Sequence, residues 1–264
     1  MAKRTRAQQD AIREARKQRK AQQKGKKGHQ TPKYVPEPSL LNKLAHVTPW
    51  TPTQKRVFDA YHDGKDLLLH GTAGTGKSFI ACFLTIQEIL DSDIFKRLVI
   101  TRSAVPTRDQ GALPGTLEEK QAVFESPYRP IFHELFGSPH AYDDLKRIRK
   151  VEFLSTSYLR GSTFHDCIVL CDEIQNMTAS ELNTVITRVG DNCKIVFAGD
   201  IRQPDLIKKH EKSGIRDFME IIKRMQAFSV IEFGPEDIVR SRLVKEYILT
   251  RNELEDAGTI TSLG

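Results

Sequence analysis

The stretch that decides the fold is Asp66-Leu-Leu-Leu-His-Gly71-Thr-Ala-Gly-Thr-Gly76-Lys77-Ser78. Its first part, Asp66–His70, is a short apolar run typical of a buried strand. Its second part is a full G-x-x-x-x-G-K-S pattern, and the segment that follows, Lys77–Leu90, has apolar residues at helical spacing. The pattern therefore lies between a strand and a helix, where its glycines let successive backbone N–H groups bind phosphate oxygens.

This loop predicts a nucleotide site. We expect Lys77 to lie against the β- and γ-phosphates and Ser78 to bind Mg²⁺. The alternative, an ordinary strand–turn–helix connection, does not require the lysine and serine at these positions. The residues expected to contact the nucleotide are Gly71, Thr72, Ala73, Gly74, Thr75, Gly76, Lys77, Ser78 and Phe79.

A second acidic element follows the apolar run Cys167-Ile-Val-Leu-Cys171, which ends in Asp172 and Glu173. We expect Asp172 to reach Mg²⁺ through water and Glu173 to orient or deprotonate the attacking water, which makes the site hydrolytic. Strands often end in acidic residues, so the pair alone is a weak signal. Its position downstream of the phosphate loop is what indicates a role at the nucleotide.

A third polar strand end is Phe197-Ala-Gly199-Asp200-Ile-Arg-Gln203. Polar residues at the carboxyl edge of a parallel sheet face the ligand crevice. Gln203 can bond both a γ-phosphate and a water molecule, so we expect it to sense hydrolysis. A capped strand–helix turn is the alternative.

Composition excludes several classes of protein. The 264 residues are 39% hydrophobic and have a mean hydropathy of −0.44. No run approaches 18 apolar residues and the N-terminus lacks an apolar signal region, so we expect neither a membrane span nor secretion. The four cysteines show no C-x-x-C spacing, which favours a reducing compartment, the cytoplasm of a bacterium or of a viral host.

The positive charge is concentrated at one end of the chain. Residues 1–33 carry a net charge of +10, whereas the remainder carries −3. We expect residues 1–33 to be a disordered tail that binds nucleic-acid phosphates, with a merely solubilising tail as the alternative. The predicted organisation is a tail at 1–33, a proline-rich linker at 34–52, a nucleotide-binding domain at 53–250 and a C-terminal tail at 251–264.

Alternating short apolar runs and helical segments predict an α/β fold with a parallel sheet covered on both faces. Cys167 and Cys171 have even spacing on one strand, so we expect both in the core on the same side. The predicted strands are 66–70, 97–101, 151–155, 167–171, 194–198 and 229–233. The predicted helices are 53–62, 77–90, around 118–124, 142–150, 179–189, 215–226 and 238–250.

Together these motifs resemble the PhoH family of P-loop ATPases, which is related to the RecA-like core of superfamily-one helicases. The glycine-rich loop, Asp172-Glu173-Ile-Gln-Asn, Gly199-Asp-x-x-Gln and Asp237-Ile-Val-Arg240 carry the resemblance, which extends from Thr48 to Tyr247. Ile174 replaces the usual alanine after the acid pair, and Ser241-Arg242 replaces the usual His-Pro. The resemblance implies a P-loop NTPase with a RecA-like parallel sheet.

The resemblance also implies roles for residues outside the three motifs. Gln54 would contact the adenine edge, with an exposed glutamine at a helix start as the alternative. Arg240 would stabilise γ-phosphate charge. Because few residues follow Gln203, we expect Arg240 to reach the γ-phosphate of a neighbouring subunit. The alternative is that Arg240 is a surface charge on a helix, paired with Asp237. Thr101, Arg102 and Ser103 resemble one nucleic-acid contact and Tyr158, Arg160 and Gly161 a second, although Arg160 could equally form a structural ion pair.

The function that the sequence predicts is ATP hydrolysis with Mg²⁺, coupled to binding, unwinding or translocation along nucleic acid, RNA rather than DNA. A nucleotide-gated binding protein that hydrolyses slowly and acts through protein partners is the alternative. A small-molecule kinase is disfavoured, because the Asp172–Glu173 pair with Gln203 would activate water and waste ATP. We expect a homo-oligomer, with a hexameric ring as one form, and no association with membranes.

Overall fold

The computed structural model describes residues 39–103, 117–156, 159, 163–201 and 214–260. The predicted tail at 1–33, and the predicted site residues Tyr158, Arg160, Gly161 and Gln203, lie outside these ranges. Within them, no helix is both long enough and apolar enough to cross a bilayer.

Six parallel strands form one sheet. They are β1 (Asp66–Gly71), β2 (Arg97–Arg102), β3 (Val151–Ser155), β4 (Cys167–Cys171), β5 (Cys193–Ala198) and β6 (Phe228–Phe233). Their order across the sheet is β3-β2-β4-β5-β1-β6, and every neighbouring pair is parallel. The predicted strands all occur, with bounds that differ by at most one residue at either end.

Nine helices occur among the described residues. They are α1 (Ser39–Lys43), α2 (Pro52–His62), α3 (Lys77–Asp91), α4 (Leu117–Glu125), α5 (Tyr128–Phe136), α6 (Ala141–Arg147), α7 (Ala179–Thr187), α8 (Ile215–Arg224) and α9 (Arg242–Asp256). Short 3₁₀ turns lie at Ile174–Asn176 and Pro235–Asp237.

The sheet separates two apolar cores. One core contains side chains of α2, α3, α5 and α6, and the other contains side chains of α7 and α8. The central strand β4 is buried along its whole length, whereas the edge strand β3 alternates between buried and partly exposed residues. This pattern is typical of a parallel sheet with helices on both faces. The predicted fold class is confirmed, and Cys167 and Cys171 are fully buried in the same core as predicted.

The sequence missed α5. No helix was predicted between 124 and 142, but in the structure Pro127 precedes a helix, Pro130 lies in its first turn and Gly137 ends it in the left-handed conformation. Proline is tolerated there because first-turn N–H groups have no helical acceptor. Helix α5 matters for the site because it carries Tyr128.

Other boundaries also differ from the predictions, and the closing helix runs to Asp256, past its predicted end at 250 and into the range assigned to a C-terminal tail. Residues 39–50, assigned to a linker, belong to the compact unit that begins at Ser39, and the Ala45 N–H donates to the carbonyl of Leu135 at 2.7 Å. The closing helix begins at Arg242 and not at Ile238, because the backbone is non-helical at Ile238 (ψ 116°) and at Ser241 (ψ 156°). Between them, the Val239 N–H donates to the Gly74 carbonyl at 3.0 Å and joins this segment to the phosphate loop.

Candidate functional site: a nucleotide cavity at the carboxyl edge of the sheet

The candidate site lies where β1, β5 and β4, three neighbours in the sheet, end. The loop 71–78 follows β1, Asp172 and Glu173 follow β4, and Gly199 and Asp200 follow β5. All three segments line one cavity of about 780 Å³. Ligands of open α/β sheets bind at this edge, so the topology brings the three sequence motifs together.

Glycines give the loop its shape. Gly71 has φ +112° and pairs with Phe233 of β6; a Cβ there would collide with the Phe233 carbonyl. Gly76 has φ +84° and immediately precedes α3. Left-handed backbone is accessible to glycine without steric cost, so the loop can turn sharply and place the first N–H groups of α3 at the cavity.

The Lys77 side chain is hydrogen-bonded to the backbone of this loop. Its Nζ donates to the carbonyls of Gly71 at 3.0 Å and Thr72 at 2.7 Å, and the residue is only 8% exposed. Burial lowers the Lys77 pKa, while the nearby carboxylates of Asp200, Glu173 and Asp172 oppose that shift. The ammonium is thus held close to the place where the loop binds phosphate.

Asp172 connects three elements. Its Oδ1 accepts from the Ser78 hydroxyl at 2.9 Å and its Oδ2 from the Tyr128 hydroxyl at 3.1 Å, while its backbone N–H donates to the Thr101 carbonyl at 3.0 Å. Burial, followed by the charge of Glu173, raises the Asp172 pKa.

The Ser78–Asp172 pair suits Mg²⁺. It offers a hydroxyl and a carboxylate oxygen, the hard donors that this ion prefers. Among the residues that the structure describes, no group of three His, Cys, Asp or Glu side chains could hold a metal. An ion here would take its remaining ligands from phosphate oxygens and water, as Mg²⁺ commonly does at nucleotide sites.

Glu173 and Gln175 link the ends of β4 and β5. Glu173 has left-handed backbone with φ +56°, unusual for a residue with a side chain, and its carboxylate accepts a hydrogen bond from Gln175 Nε2. Gln175 Oε1 accepts from the Asp200 N–H at 3.0 Å. Gly199 leaves room for this arrangement, since a Cβ there would be 2.6 Å from Ile174 Cγ1. One glutamine amide therefore connects the predicted water-activating carboxylate to the neighbouring strand end.

Gln54 lies at the cavity, but both ends of its amide are engaged. Nε2 donates to the Thr75 carbonyl at 3.1 Å, Oε1 accepts from the Trp50 N–H at 2.7 Å, and the residue is 4% exposed. The residue is buried and so is not the exposed helix-start residue considered as the alternative, whereas the adenine contact that the resemblance implied stays a prediction. In this structure Gln54 ties the segment before α2 to the phosphate loop.

Arg240 lies against the phosphate loop of its own chain. A Cβ at Gly74 would be 3.0 Å from Arg240 Cγ, and Arg240 lines the cavity. The 235–241 segment turns back onto the loop through the Val239–Gly74 bond, and the predicted action of Arg240 across an interface stays a prediction. The placement differs from the surface pairing with Asp237, whose carboxylate accepts from the Gly234 N–H at 3.0 Å.

The first predicted nucleic-acid contact needs correction. Thr101 is completely buried, and buried Ser103 donates its hydroxyl to Glu181 at 3.0 Å. Both side chains are buried, because the sheet is covered on both faces here. The Thr101 carbonyl accepts a hydrogen bond from the backbone N–H of Asp172. Of the three residues, only Arg102, which is partly exposed, keeps a side chain toward solvent.

Sequence reasoning assigned no role to Tyr128 or Gln175. Gln175 could have been found, since it lies two residues after the acid pair and carries a polar amide at a strand end. No local signal marks Tyr128, because its contact with Asp172 joins residues 44 positions apart.

Comparison with known proteins supports the motif assignment. Residues 46–251 match the family model described as PhoH-like protein. A PhoH-like protein of Mycobacterium leprae is 34% identical over 82% of this chain and 62% of its own length. The protein PhoH of Escherichia coli K12 is 35% identical over 66% of this chain and 49% of its own length. The chain thus spans about half to two thirds of these relatives. Among solved structures, the large terminase of a thermophilic bacteriophage is similar with a TM-score of 0.46 and 13% identity, over 77% of this chain and 50% of that one.

Proposed function

The chain belongs to the PhoH-like protein family, and we propose that it binds ATP with Mg²⁺ and hydrolyses it in an activity coupled to RNA. The observation that carries this proposal is the 2.9 Å hydrogen bond between Ser78 of the loop and Asp172. It joins the phosphate-binding element to the acidic strand end, with the Glu173 carboxylate beside it.

Nucleotide binding exchanges internal contacts for contacts with phosphate. Lys77 leaves the carbonyls of Gly71 and Thr72 and donates to phosphate oxygens, which are stronger acceptors because they are charged. Ser78 and Asp172 would hold Mg²⁺, which supplies neutralisation of the phosphate charge. Tyr128 keeps the Asp172 carboxylate oriented through its hydroxyl.

Hydrolysis then requires a base and charge stabilisation. Glu173 accepts the proton of a water molecule whose oxygen attacks the γ-phosphorus, and the bond from that phosphorus to the bridging oxygen of ADP breaks. Lys77 and Arg240, both of which line the cavity, stabilise the negative charge that develops on the phosphoryl oxygens. ADP and inorganic phosphate leave.

A second candidate, a nucleotide-gated binding protein with slow hydrolysis, rests on Gln175. Its amide donates to Oε2, one of the two Glu173 oxygens that could receive the proton. A basal rate limited by this contact would rise when a bound partner turns Gln175 away. Rate measurements with and without RNA distinguish a partner-stimulated ATPase from a binding protein.

The coupling to RNA rests on charge. The net charge of +10 in residues 1–33 matches a polyanion, since neutralising phosphates releases counterions. Assembly into a homo-oligomer stays a prediction from the sequence, and its measurement is sedimentation with and without ATP.

The test is phosphate release from ATP, measured with Mg²⁺ or with EDTA and against a panel of single- and double-stranded RNA and DNA. We expect Mg²⁺-dependent hydrolysis that RNA stimulates more than DNA does. Hydrolysis unaffected by EDTA would contradict the assignment of Ser78 and Asp172, and equal rates with and without every nucleic acid would contradict the coupling.

A further inference from the structure

Trp50 is the largest aromatic side chain that lines the nucleotide cavity, and it is 76% exposed. An indole usually buries most of its large apolar surface. Exposure to this degree at the lining of a cavity leaves one face of the ring available to a planar ligand.

The backbone of Trp50 has a fixed relation to the phosphate loop. Its N–H donates to Gln54 Oε1 at 2.7 Å, and Gln54 Nε2 donates to the Thr75 carbonyl at 3.1 Å. Two hydrogen bonds in series, with the bridging amide almost completely buried, connect residue 50 to residue 75. The backbone of residue 50 is therefore held at the same cavity as the phosphate loop.

The lining of the cavity divides chemically into two sets. Charged and polar groups, among them Lys77, Asp172 and Glu173, suit phosphates and a metal ion. The residues contributed by 45–50 and by α5 include the apolar side chains Val47, Trp50, Pro130 and Ile131, interspersed with His46, Thr48 and Glu134. The apolar side chains suit a base better than a phosphate, because burying an unpaired charge against them would be costly.

We infer that Trp50 stacks on the nucleobase of the bound nucleotide and supplies the base-dependent part of its affinity. The inference rests on the proposed nucleotide-binding function and is independent of the edge contact predicted for Gln54. Stacking tolerates every base because each has a π-face. ATP and GTP are therefore expected to bind with comparable affinity.

The experiment combines a variant with a ligand that lacks the base. Calorimetry would measure binding of ATP and of inorganic triphosphate, each with Mg²⁺, to the wild type, Trp50→Ala and Trp50→Phe. We expect Trp50→Ala to weaken ATP binding roughly 5- to 100-fold, to leave triphosphate binding unchanged, and Trp50→Phe to retain most of the affinity for ATP. Because Trp50 is largely exposed, its replacement removes little core packing.

The chain has a single tryptophan, so its fluorescence reports on this residue alone. ATP should change the emission over the same concentrations that saturate the calorimetric signal, and triphosphate should not. Equal weakening of both ligands by Trp50→Ala, or no weakening of either, would overturn the inference while leaving nucleotide binding intact. An emission change with single-stranded RNA but none with ATP would also overturn it. Failure of ATP and triphosphate alike to bind the wild type would contradict the proposed function itself.

Discussion

The Tyr128 hydroxyl donates a 3.1 Å hydrogen bond to Oδ2 of Asp172, while Ser78 holds Oδ1 of the same carboxylate. Tyr128 belongs to α5, in the insertion between β2 and β3, so this insertion supports the acidic strand end directly. Replacing Tyr128 by Phe should leave Oδ2 with one partner fewer and cost about 1–3 kcal/mol of stability. Half-maximal ATPase activity should require roughly 10- to 100-fold more Mg²⁺, the usual effect of losing a group that orients a metal ligand.

Mg²⁺ titration of the ATPase and urea unfolding check this prediction. Tyr142→Phe is the matched control, because Tyr142 is another fully buried tyrosine of the same insertion and does not line the cavity. An unchanged Mg²⁺ requirement in Tyr128→Phe would show that Ser78 alone orients Asp172.

Substitutions of Lys77 and of Glu173 should distinguish ATP binding from ATP hydrolysis. Lys77→Ala should abolish hydrolysis, because the phosphates lose the nearby ammonium. Glu173→Gln should keep ATP affinity near that of the wild type but lower kcat by roughly 10²–10⁴-fold, since only proton acceptance is lost. Calorimetry and phosphate release measure the two effects, and Glu253→Gln, the same change on the exposed surface of α9, is the control. Near-normal turnover in Glu173→Gln would remove Glu173 from the role of base.

Arg240 should act in its own chain. Arg240→Ala should lower kcat by roughly 10³–10⁵-fold, the range for arginines that stabilise phosphoryl transfer. Because Arg240 lies against Gly74 of the same loop, mixing Arg240→Ala chains with Lys77→Ala chains should give no recovery of activity. Recovery in demonstrably mixed assemblies would mean that the arginine acts across an interface, as the sequence alone suggested.

Stability should depend on pH through Asp172. Burial raises the pKa of this carboxyl above its unfolded value of 3.8, so the folded protein binds the proton more tightly than the unfolded chain does. The stability contributed by this group must therefore fall as pH rises from about 3.8 through the raised pKa. The free energy of unfolding of Asp172→Asn minus that of the wild type should increase over this window and then level off.

Urea unfolding of both proteins between about pH 4 and pH 7 measures this difference. Asp91→Asn, on the exposed end of α3, provides a control with the same chemical change. A difference for Asp172→Asn that does not vary with pH would contradict the burial argument.

The N-terminal segment should contribute RNA affinity without affecting chemistry. Deleting residues 1–33 removes a net charge of +10 from outside the compact unit that begins at Ser39. RNA binding should weaken, and the slope of log affinity against log salt should fall by about 0.7 for each phosphate of a single strand that the protein no longer neutralises. ATPase activity without RNA should change little. If the deletion leaves RNA affinity unchanged, the segment does not bind RNA and the solubilising alternative is supported.

The sequence by itself determined the strand–loop–helix, the acidic end of β4 and the parallel sheet. These features depend on contiguous residues: phosphate is bound by successive backbone N–H groups, and buried parallel strands are continuous apolar runs. A pattern a few residues long therefore specifies each of them, and the family model that matches residues 46–251 agrees.

Only the tertiary structure decided which partners the site residues take. Gln54 bonds to Thr75, Tyr128 to Asp172, and Val239 to Gly74, and each bond joins segments far apart in the chain. Such bonds depend on how α2, α5 and the 235–241 segment pack at the edge of the sheet. Burial then determines which polar groups remain available, because a buried amide or hydroxyl must be hydrogen-bonded. For that reason the sequence could identify Gln54 and Ser103 as polar candidates, but packing gave both of them internal partners, and it left Thr101 completely buried.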